Sequence, residues 1–432
     1  MTSTLPFRSS TSARVHGMAH IGRQPESRSK VRNDCRRDTA TSMLEKAARD
    51  SLTRQVTFQR ASEWVIGALT TETLMTGADL PALRTSLPGP RSQAHVDVLA
   101  QHECPAVTAR RARRAASLGA VDDDPVVWAE AVGSNVLDVD GNRFIDLTSG
   151  FGVAFVGHRH PAVVAAAQEQ TGRLIHAMGD AWPDASRIEL LARLGALAPG
   201  ELSVSLLGLS GSDAVDAAVK TAVLHTGRSK VLTFHGGYHG LATGVLPLQG
   251  YKQAFTEPFA GLCRDAGPRL DFACSMAEVR EALASGDVGL VLVEPIQGRG
   301  GMRPAPSGWL ADLAHEARRA GALLAVDEIQ SGLGRTGRWF ASQADDVEPD
   351  LLCVGKALAG GFPMSACIGT PEVMAAWGAS TGEALHTQTF LGHPVGSAAA
   401  VATLDLIENQ GLVAQAAERG VALRGALEAA GY

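Results

Sequence analysis

Lys356 stands where an apolar run, Leu351-Leu352-Cys353-Val354, breaks into a glycine-rich stretch, Gly355-Lys356-Ala357-Leu358-Ala359-Gly360-Gly361. Earlier in the chain Asp327 ends another apolar run, Ala322-Leu323-Leu324-Ala325-Val326. An amine and a carboxylate at the ends of neighbouring buried strands suit a cofactor that needs a Schiff-base lysine at one end and an acid beside a cationic ring nitrogen at the other. That cofactor is pyridoxal 5′-phosphate. A carboxylate held against a pyridine nitrogen keeps it protonated, and the resulting cation makes the ring an electron sink for a carbanion. Asp327 suits that place. The adjacent Glu328 reads equally as a structural carboxylate in a loop network, and Gln330 could reach the ring's phenolic oxygen. A surface position for Lys356 is the alternative, but its apolar flanks argue against it.

The remaining requirements are a phosphate cradle and a surface for the ring. Leu209-Ser210-Gly211-Ser212-Asp213-Ala214 follows one apolar run and opens a helical one. Small residues let backbone N–H groups approach an anion, the hydroxyls of Ser210 and Ser212 can donate, and a helix N-terminus favours negative charge. The same residues also make an ordinary N-cap with an acid in the first turn. Phe234-His235-Gly236-Gly237-Tyr238-His239-Gly240 supplies an aromatic in a glycine-rich loop, in a chain with only three tyrosines. Tyr238 there can stack on a flat ring, with His239 beside it as a second cofactor-binding candidate; a loop anchor and satisfied imidazoles are the alternative. Glu294, in Val293-Glu294-Pro295-Ile296-Gln297-Gly298, ends one more run and faces either the cofactor or a loop arginine such as Arg335.

These loops need a frame that brings strand ends together. Short apolar runs at 203–207, 230–234, 289–293, 323–326 and 351–354 alternate with helical stretches such as 212–225 and 309–320. Strands apolar on both faces and separated by helices describe an α/β fold, a mostly parallel sheet sandwiched by helices. In such sheets ligands bind outside the carboxyl ends of the strands, where all the residues above fall. Before this region, 126–132, 135–140 and 144–147 read as a small antiparallel sheet with turns at Gly133-Ser134 and Asp140-Gly141. Helices are expected over 161–178, 186–197 and 411–430, and the stretch 41–85 reads as weakly helical.

Composition narrows the class. With 432 residues, 45% hydrophobic and 19% charged, the chain is large enough for two or three domains and is an ordinary globular protein. A formal net charge of -6 argues against nucleic acid as the main partner. No apolar run approaches the ~20 residues of a membrane span. The six cysteines are scattered without zinc spacing, which reads as reduced thiols in a cytoplasmic protein. Residues 1–40 are rich in Arg and Ser; without a recurring apolar face they read as a tail, or as sequence upstream of the true start, rather than a transit peptide.

Leu324-Ala325-Val326-Asp327-Glu328-Ile329-Gln330-Ser331-Gly332-Leu333-Gly334-Arg335-Thr336-Gly337, then Pro349-Asp350 and Gly355 to Gly361, run collinear with a known signature. So do Asp140-Gly141-Asn142-Arg143, Gly157-His158-Arg159-His160-Pro161, Ser210 to Ala214 and Glu294 to Gly298. On these residues the chain resembles a class III pyridoxal-phosphate aminotransferase of fold type I, nearest to bacterial 4-aminobutyrate aminotransferases. The resemblance implies an extension at 1–80, an N-terminal segment of a small α+β domain at 81–160, a large cofactor-binding domain at 161–400, and the start of a C-terminal small domain at 401–432, incomplete in this sequence. It also implies that Lys356 holds the cofactor and shuttles a proton, Asp327 pairs with the ring nitrogen, Gln330 approaches the ring hydroxyl, Gly211 and Ser212 bind phosphate, and Tyr238 stacks on the ring. Thr389 matches a threonine that reaches the phosphate of a neighbouring subunit, which implies a homodimer. Phe151 and Arg299 fall at substrate-contacting positions; many relatives have Glu where Arg299 stands, and His393 replaces the usual asparagine before Pro394.

The leading expectation is therefore a transaminase passing an amino group from an amino acid, with ω-amino acids such as 4-aminobutyrate among the candidate donors, to a 2-oxo acid such as 2-oxoglutarate. A racemase, epimerase or aminomutase of the same fold is the second reading, and an inactive truncated remnant the third. A nicotinamide enzyme has little support, since no G-x-G-x-x-G opens a βαβ unit here.

Overall fold

Short apolar runs in this chain pair into strands because each can bury both of its faces, and the fold follows from that. The computed structural model of the protein describes residues 75–107, 125–263, 265–379 and 381–432; the expectations for 1–40 and for 41–74 lie outside them. The first helix, α1 (Pro90–His102), starts on a proline, and the Asp140 carboxylate accepts the N–H groups of Arg91 and Ser92 at 2.7 and 2.8 Å. The antiparallel meander expected next is present as β1 (Trp128–Val132), β2 (Asn135–Asp138) and β3 (Arg143–Ile145), in the order β1-β2-β3. From 75 to 89 no helix forms, and Ala82 instead bridges to Arg143.

Helix α2 (Pro161–Arg173) is capped by the His160 side chain and is shorter than the expected 161–178, because Leu174 turns to extended backbone. Helix α3 (Ala185–Leu197) begins on an Asp184 cap. The main sheet then builds up from β4 (Val204–Gly208), β5 (Lys230–Phe234), β6 (Arg269–Leu270), β7 (Val288–Val293), β10 (Leu323–Asp327), β11 (Leu351–Val354) and β12 (Ser365–Gly369), in the order β4-β12-β11-β10-β7-β5-β6. A separate ribbon pairs β8 (Ile296–Gln297) with β9 (Arg303–Pro304). β5, β7, β10 and β11 are mutually parallel, as expected, whereas β12 runs antiparallel to both β11 and β4. Between the strands lie α4 (Gly211–Thr226), α5 (Met276–Leu283) and α6 (Trp309–Arg319), followed by α7 (Pro394–Asn409) and α8 (Leu412–Ala429).

Alternate residues of each parallel strand feed two different cores. Val291, Val293, Leu324, Val326, Leu352 and Val354 pack with Leu190 and Leu194 of α3, Leu310 and Leu313 of α6 and Leu404 of α7. Leu290, Leu292, Leu323, Ala325, Leu351 and Cys353 pack with the Ala- and Val-rich face of α4. A sheet covered on both sides has one open place for polar chemistry, the edge where its strands end.

Candidate active site

Five strand ends meet at that edge. Asp327 is the last residue of β10, Glu294 follows β7, the loop 235–240 follows β5, Leu209-Ser210 joins β4 to α4, and Gly355-Lys356 follows β11. Parallel pairing sets Asp327 level with Cys353, so Lys356 emerges just beyond it. Lys356 has a left-handed backbone (φ 33°), a conformation that costs a non-glycine residue energy and is concentrated at functional sites. These ends enclose a cavity of about 530 Å³, lined by Ser210, Gly211, Ser212, Tyr238, His239, Glu294, Arg299, Asp327, Gln330 and Lys356. Ten of the twelve residues singled out from sequence thus share one cavity. Phe151 and Thr389 do not line it: both are exposed, and Phe151 sits on a left-handed turn (φ 60°) with 69% of its surface in solvent.

The acidic groups are organised, not merely adjacent. Asp327 is buried, and its Oδ2 lies 2.8 Å from Nδ1 of the equally buried His239. Its Oδ1 accepts the Ile329 N–H at 3.1 Å. Burial acts to lower the His239 pKa, but the hydrogen bond and charge of Asp327, with Glu294 behind it, outweigh that and hold it raised. Glu294 accepts the N–H groups of Tyr238 and Gly298 at 2.7 and 3.1 Å rather than pairing with Arg335. Desolvation, with a contribution from the Asp327 charge, lifts its carboxyl to about 7 despite His239. Burial lowers the Lys356 amine below an ordinary lysine, while Asp327 and Glu294 pull it back up. Glu328 is structural: it accepts Ser331 Oγ and the N–H groups of Ala341 and Ser342 at 2.7 to 2.9 Å, tying the following loop to the strand end.

Of the two sequence readings of Ser210-Gly211-Ser212-Asp213, the N-cap is present. Ser210 caps α4 through the Asp213 N–H, and the Asp213 carboxylate accepts the N–H groups of Leu209 and Ser210. That leaves the first-turn amides of Gly211 and Ser212, which have no intrahelical acceptor, beside the cavity. Gly211 packs closely on Ile329: a Cβ there would lie 2.8 Å from Ile329 Cδ1, so that side chain would have to shift. Ser365 was not singled out from sequence, yet its Oγ donates to the Ser210 carbonyl at 2.6 Å and pins this turn. Its position shows only once β12 inserts between β4 and β11.

On the solvent side, the Arg299 guanidinium lies over the Tyr238 ring at 4.4 Å. Gln297 Nε2 donates to the His235 carbonyl at 2.8 Å, and Gly236 and Gly300 approach so closely that a Cβ on either would strike Gln297 Oε1. The Arg299 turn and the Tyr238 loop are therefore docked to each other.

This donor set fits pyridoxal phosphate: a desolvated amine, a buried carboxylate fixed by an imidazole, unpartnered helix-start amides with serine hydroxyls, and a carboxamide, all on one cavity. The class-III aminotransferase family model matches residues 118–431. Among curated proteins, the chain is 39% identical over 298 residues to the acetylornithine aminotransferase of Methanopyrus kandleri, covering 68% of this chain and 73% of that protein. It is 37% identical over 316 residues to isoleucine 2-epimerase of Lentilactobacillus buchneri, covering 68% and 69%. Among solved structures it is similar to an (S)-enantioselective omega-transaminase from Thermomicrobium roseum, with a TM-score of 0.69, 27% identity and coverage of 77% and 78%. A Toxoplasma gondii ornithine aminotransferase, described with partial occupancy of PLP at its active site, gives 0.65 at 28% identity, covering 78% of each chain. The chain belongs to the class-III aminotransferases, pyridoxal-phosphate-dependent enzymes of fold type I.

Proposed function

We propose that this aminotransferase moves an amino group from an amino acid, with ω-amino acids such as 4-aminobutyrate among its donors, to a 2-oxo acid such as 2-oxoglutarate. The observation that carries the reading is a desolvated Lys356 amine facing the same cavity as the buried Asp327–His239 pair. What the cofactor supplies when bound is an aldehyde that condenses with amines and a ring that accepts electrons from a carbanion. Lys356 Nζ would anchor it, and the same amine, when free, would take a proton at the substrate carbon and return it. Asp327 would hold a proton on the ring nitrogen, with His239 fixing that carboxylate. Gly211 and Ser212, with the hydroxyls of Ser210 and Ser212, would hold the phosphate, Gln330 would meet the ring oxygen and Tyr238 would flank the ring, its loop fixed by Glu294.

In this reading the enzyme is a cytoplasmic homodimer in which Thr389 reaches the phosphate of the neighbouring subunit and Phe151 meets substrate. Free thiols at all five cysteines among the described residues suit a reducing compartment. No helix among the described residues is long and apolar enough to cross a membrane. The separate β1–β3 meander supports assigning 81–160 to a small domain and 161–400 to the large one.

The likeness to an isoleucine 2-epimerase favours one second reading, stereochemical inversion at the same site. Purified protein given an amino donor and 2-oxoglutarate decides: glutamate formation with loss of the visible absorbance of the cofactor on donor addition supports transamination. A change in optical rotation with no keto product would instead establish the epimerase.

A further inference from the structure

Arg335 is a cation that the chemistry of the cavity leaves unused. It lines no part of the cavity, and among the described residues no carboxylate forms an ion pair with it. Its Nε is buried without a hydrogen-bond partner, and its guanidinium lies over the Phe155 ring at 5.2 Å. Burying a charge without a counter-ion costs stability. Local costs of that kind are expected where function uses the group. Here Nη2 donates to the Gly152 carbonyl.

Gly152 closes a turn with an uncommon backbone. Ser149, Gly150, Phe151 and Gly152 have φ of 50°, 57°, 60° and 83°, four left-handed residues in succession. L-residues visit that region singly, because their Cβ crowds the following carbonyl, so the turn has to be held by its surroundings. The Asp146 carboxylate holds its start. Oδ2 accepts the Gly150 N–H at 2.7 Å and lies 2.8 Å from His158 Nε2, and Oδ1 accepts the Thr148 N–H at 2.9 Å. Arg335 holds its end, and the next residue, Val153, lines the cavity. A Cβ on Gly152 would lie 3.0 Å from Gln330 Nε2 and 3.4 Å from Arg335 Nη2, so turn, carboxamide and guanidinium meet at one point. Lys356 also feels this charge. Asp327 at the end of β10, Glu294 after β7, Arg335 in the loop after β10 and Arg299 all act on it. Burial is the main cause of its lowered proton affinity; the two carboxylates oppose that, and the charge of Arg335 reinforces it ahead of that of Arg299.

We infer that Arg335 is a positioning residue: its guanidinium latches the Ser149–Gly152 turn against Gln330 and supplies a fixed positive charge near Lys356. The inference rests on Lys356 and Gln330 serving the cofactor, as proposed above, and adds a residue that acts on them from outside the cavity.

The test uses the full chain stripped of cofactor and takes two readouts. The pH dependence of Lys356 acetylation by dilute acetic anhydride, followed by peptide mass spectrometry, gives the midpoint at which the amine becomes neutral. Chymotrypsin cleavage after Phe151, which is 69% exposed, reports opening of the turn. Arg335→Met should raise the midpoint, because a neighbouring cation disfavours the protonated amine. It should also speed the cut roughly tenfold or more, the scale of losing a hydrogen bond to a charged group. Arg335→Lys should keep the midpoint near that of the parent, since the charge remains, and be cut at an intermediate rate, since an ammonium lacks the planar fork. Arg335→Gln can still donate to Gly152 but carries no charge; it should raise the midpoint, and it replaces the Met protein if that one shows no cooperative thermal melt. An unchanged midpoint in the neutral variant that folds, or a Phe151 bond cut no faster in Arg335→Lys than in the parent, overturns the inference. Because neither readout needs bound cofactor, a failure to transfer amino groups counts against the proposed function alone.

Discussion

At the scale of single residues, the site depends on how burial and neighbouring charge set proton affinities. Lys356→Ala should abolish the visible colour of the holoenzyme and cost at least about 10²–10⁴-fold in turnover, the range for losing a positioned proton-transfer group. Borohydride reduction of the parent followed by peptide mapping should place the label on Lys356 alone. Because burial lowers this amine, kcat should rise with pH through a midpoint below the 10.5 of an ordinary lysine, as the neutral form that accepts a proton accumulates. Glu294 gives a prediction of opposite chemistry. Its folded pKa of about 7 exceeds the 4.5 of a free glutamate, so the folded state binds the extra proton and loses that advantage as pH climbs from 4.5 to 7. The melting temperature of Glu294→Gln relative to the parent should therefore improve between pH 5 and pH 8, whatever constant offset the lost amide contacts impose. A difference that stays flat across that range contradicts the raised pKa.

At the scale of elements, close backbone approach and buried carboxylates hold the loops in place. Gly211→Ala should destabilise the protein only modestly, by less than the roughly 1–3 kcal/mol of an overpacked core, because the atom its Cβ meets is the movable end of the Ile329 side chain. Ile329→Val in the same protein should recover part of that loss, a coupling readable in a denaturant double-mutant cycle. Glu328→Ala removes the acceptor for two buried amides and a hydroxyl. Each stranded donor costs about 1–3 kcal/mol, so a clear drop in melting temperature is expected although Glu328 lines no part of the cavity. The sequence reading prefers Asp327 to Glu328 at the ring nitrogen, although the two are neighbours of similar chemistry. Strand alternation separates them: Asp327 turns to the cavity and Glu328 to the loop beyond it.

At the scale of the whole molecule, apolar side chains remain in solvent on segments flanking the site. Leu147 is 92% exposed, Trp182 71%, Leu385 68% and Phe390 52%, and His176 packs on Phe390 at 5.6 Å. Apolar side chains that gather into one exposed patch mark interaction surfaces, so an interface over these residues is a prediction to test. In sedimentation the holoenzyme should run as a dimer, and Trp182→Glu with Phe390→Glu should shift it toward monomer and lower activity together. Thr389, outside the cavity of its own chain, would then matter only in the dimer.

Periodicity and end residues were enough to locate the strands β5 and β11 to the residue, and to assign Lys356, Asp327, Ser212 and Tyr238 to one edge of a parallel sheet. Local rules carry that information, because a run buried on both faces must be apolar throughout and must turn polar where it leaves the core. Neither β12, with its small residues Ser365, Ala366 and Gly369, nor alanine-rich α7 has a strong period of its own. β12 gains its place by antiparallel pairing on both sides, and with it Ser365 reaches the Ser210 turn. The Asp327–His239 and Arg299–Tyr238 contacts likewise join residues far apart in the chain. No local pattern encodes such pairs; they exist because separate loops are brought to one sheet edge and packed until their side chains meet.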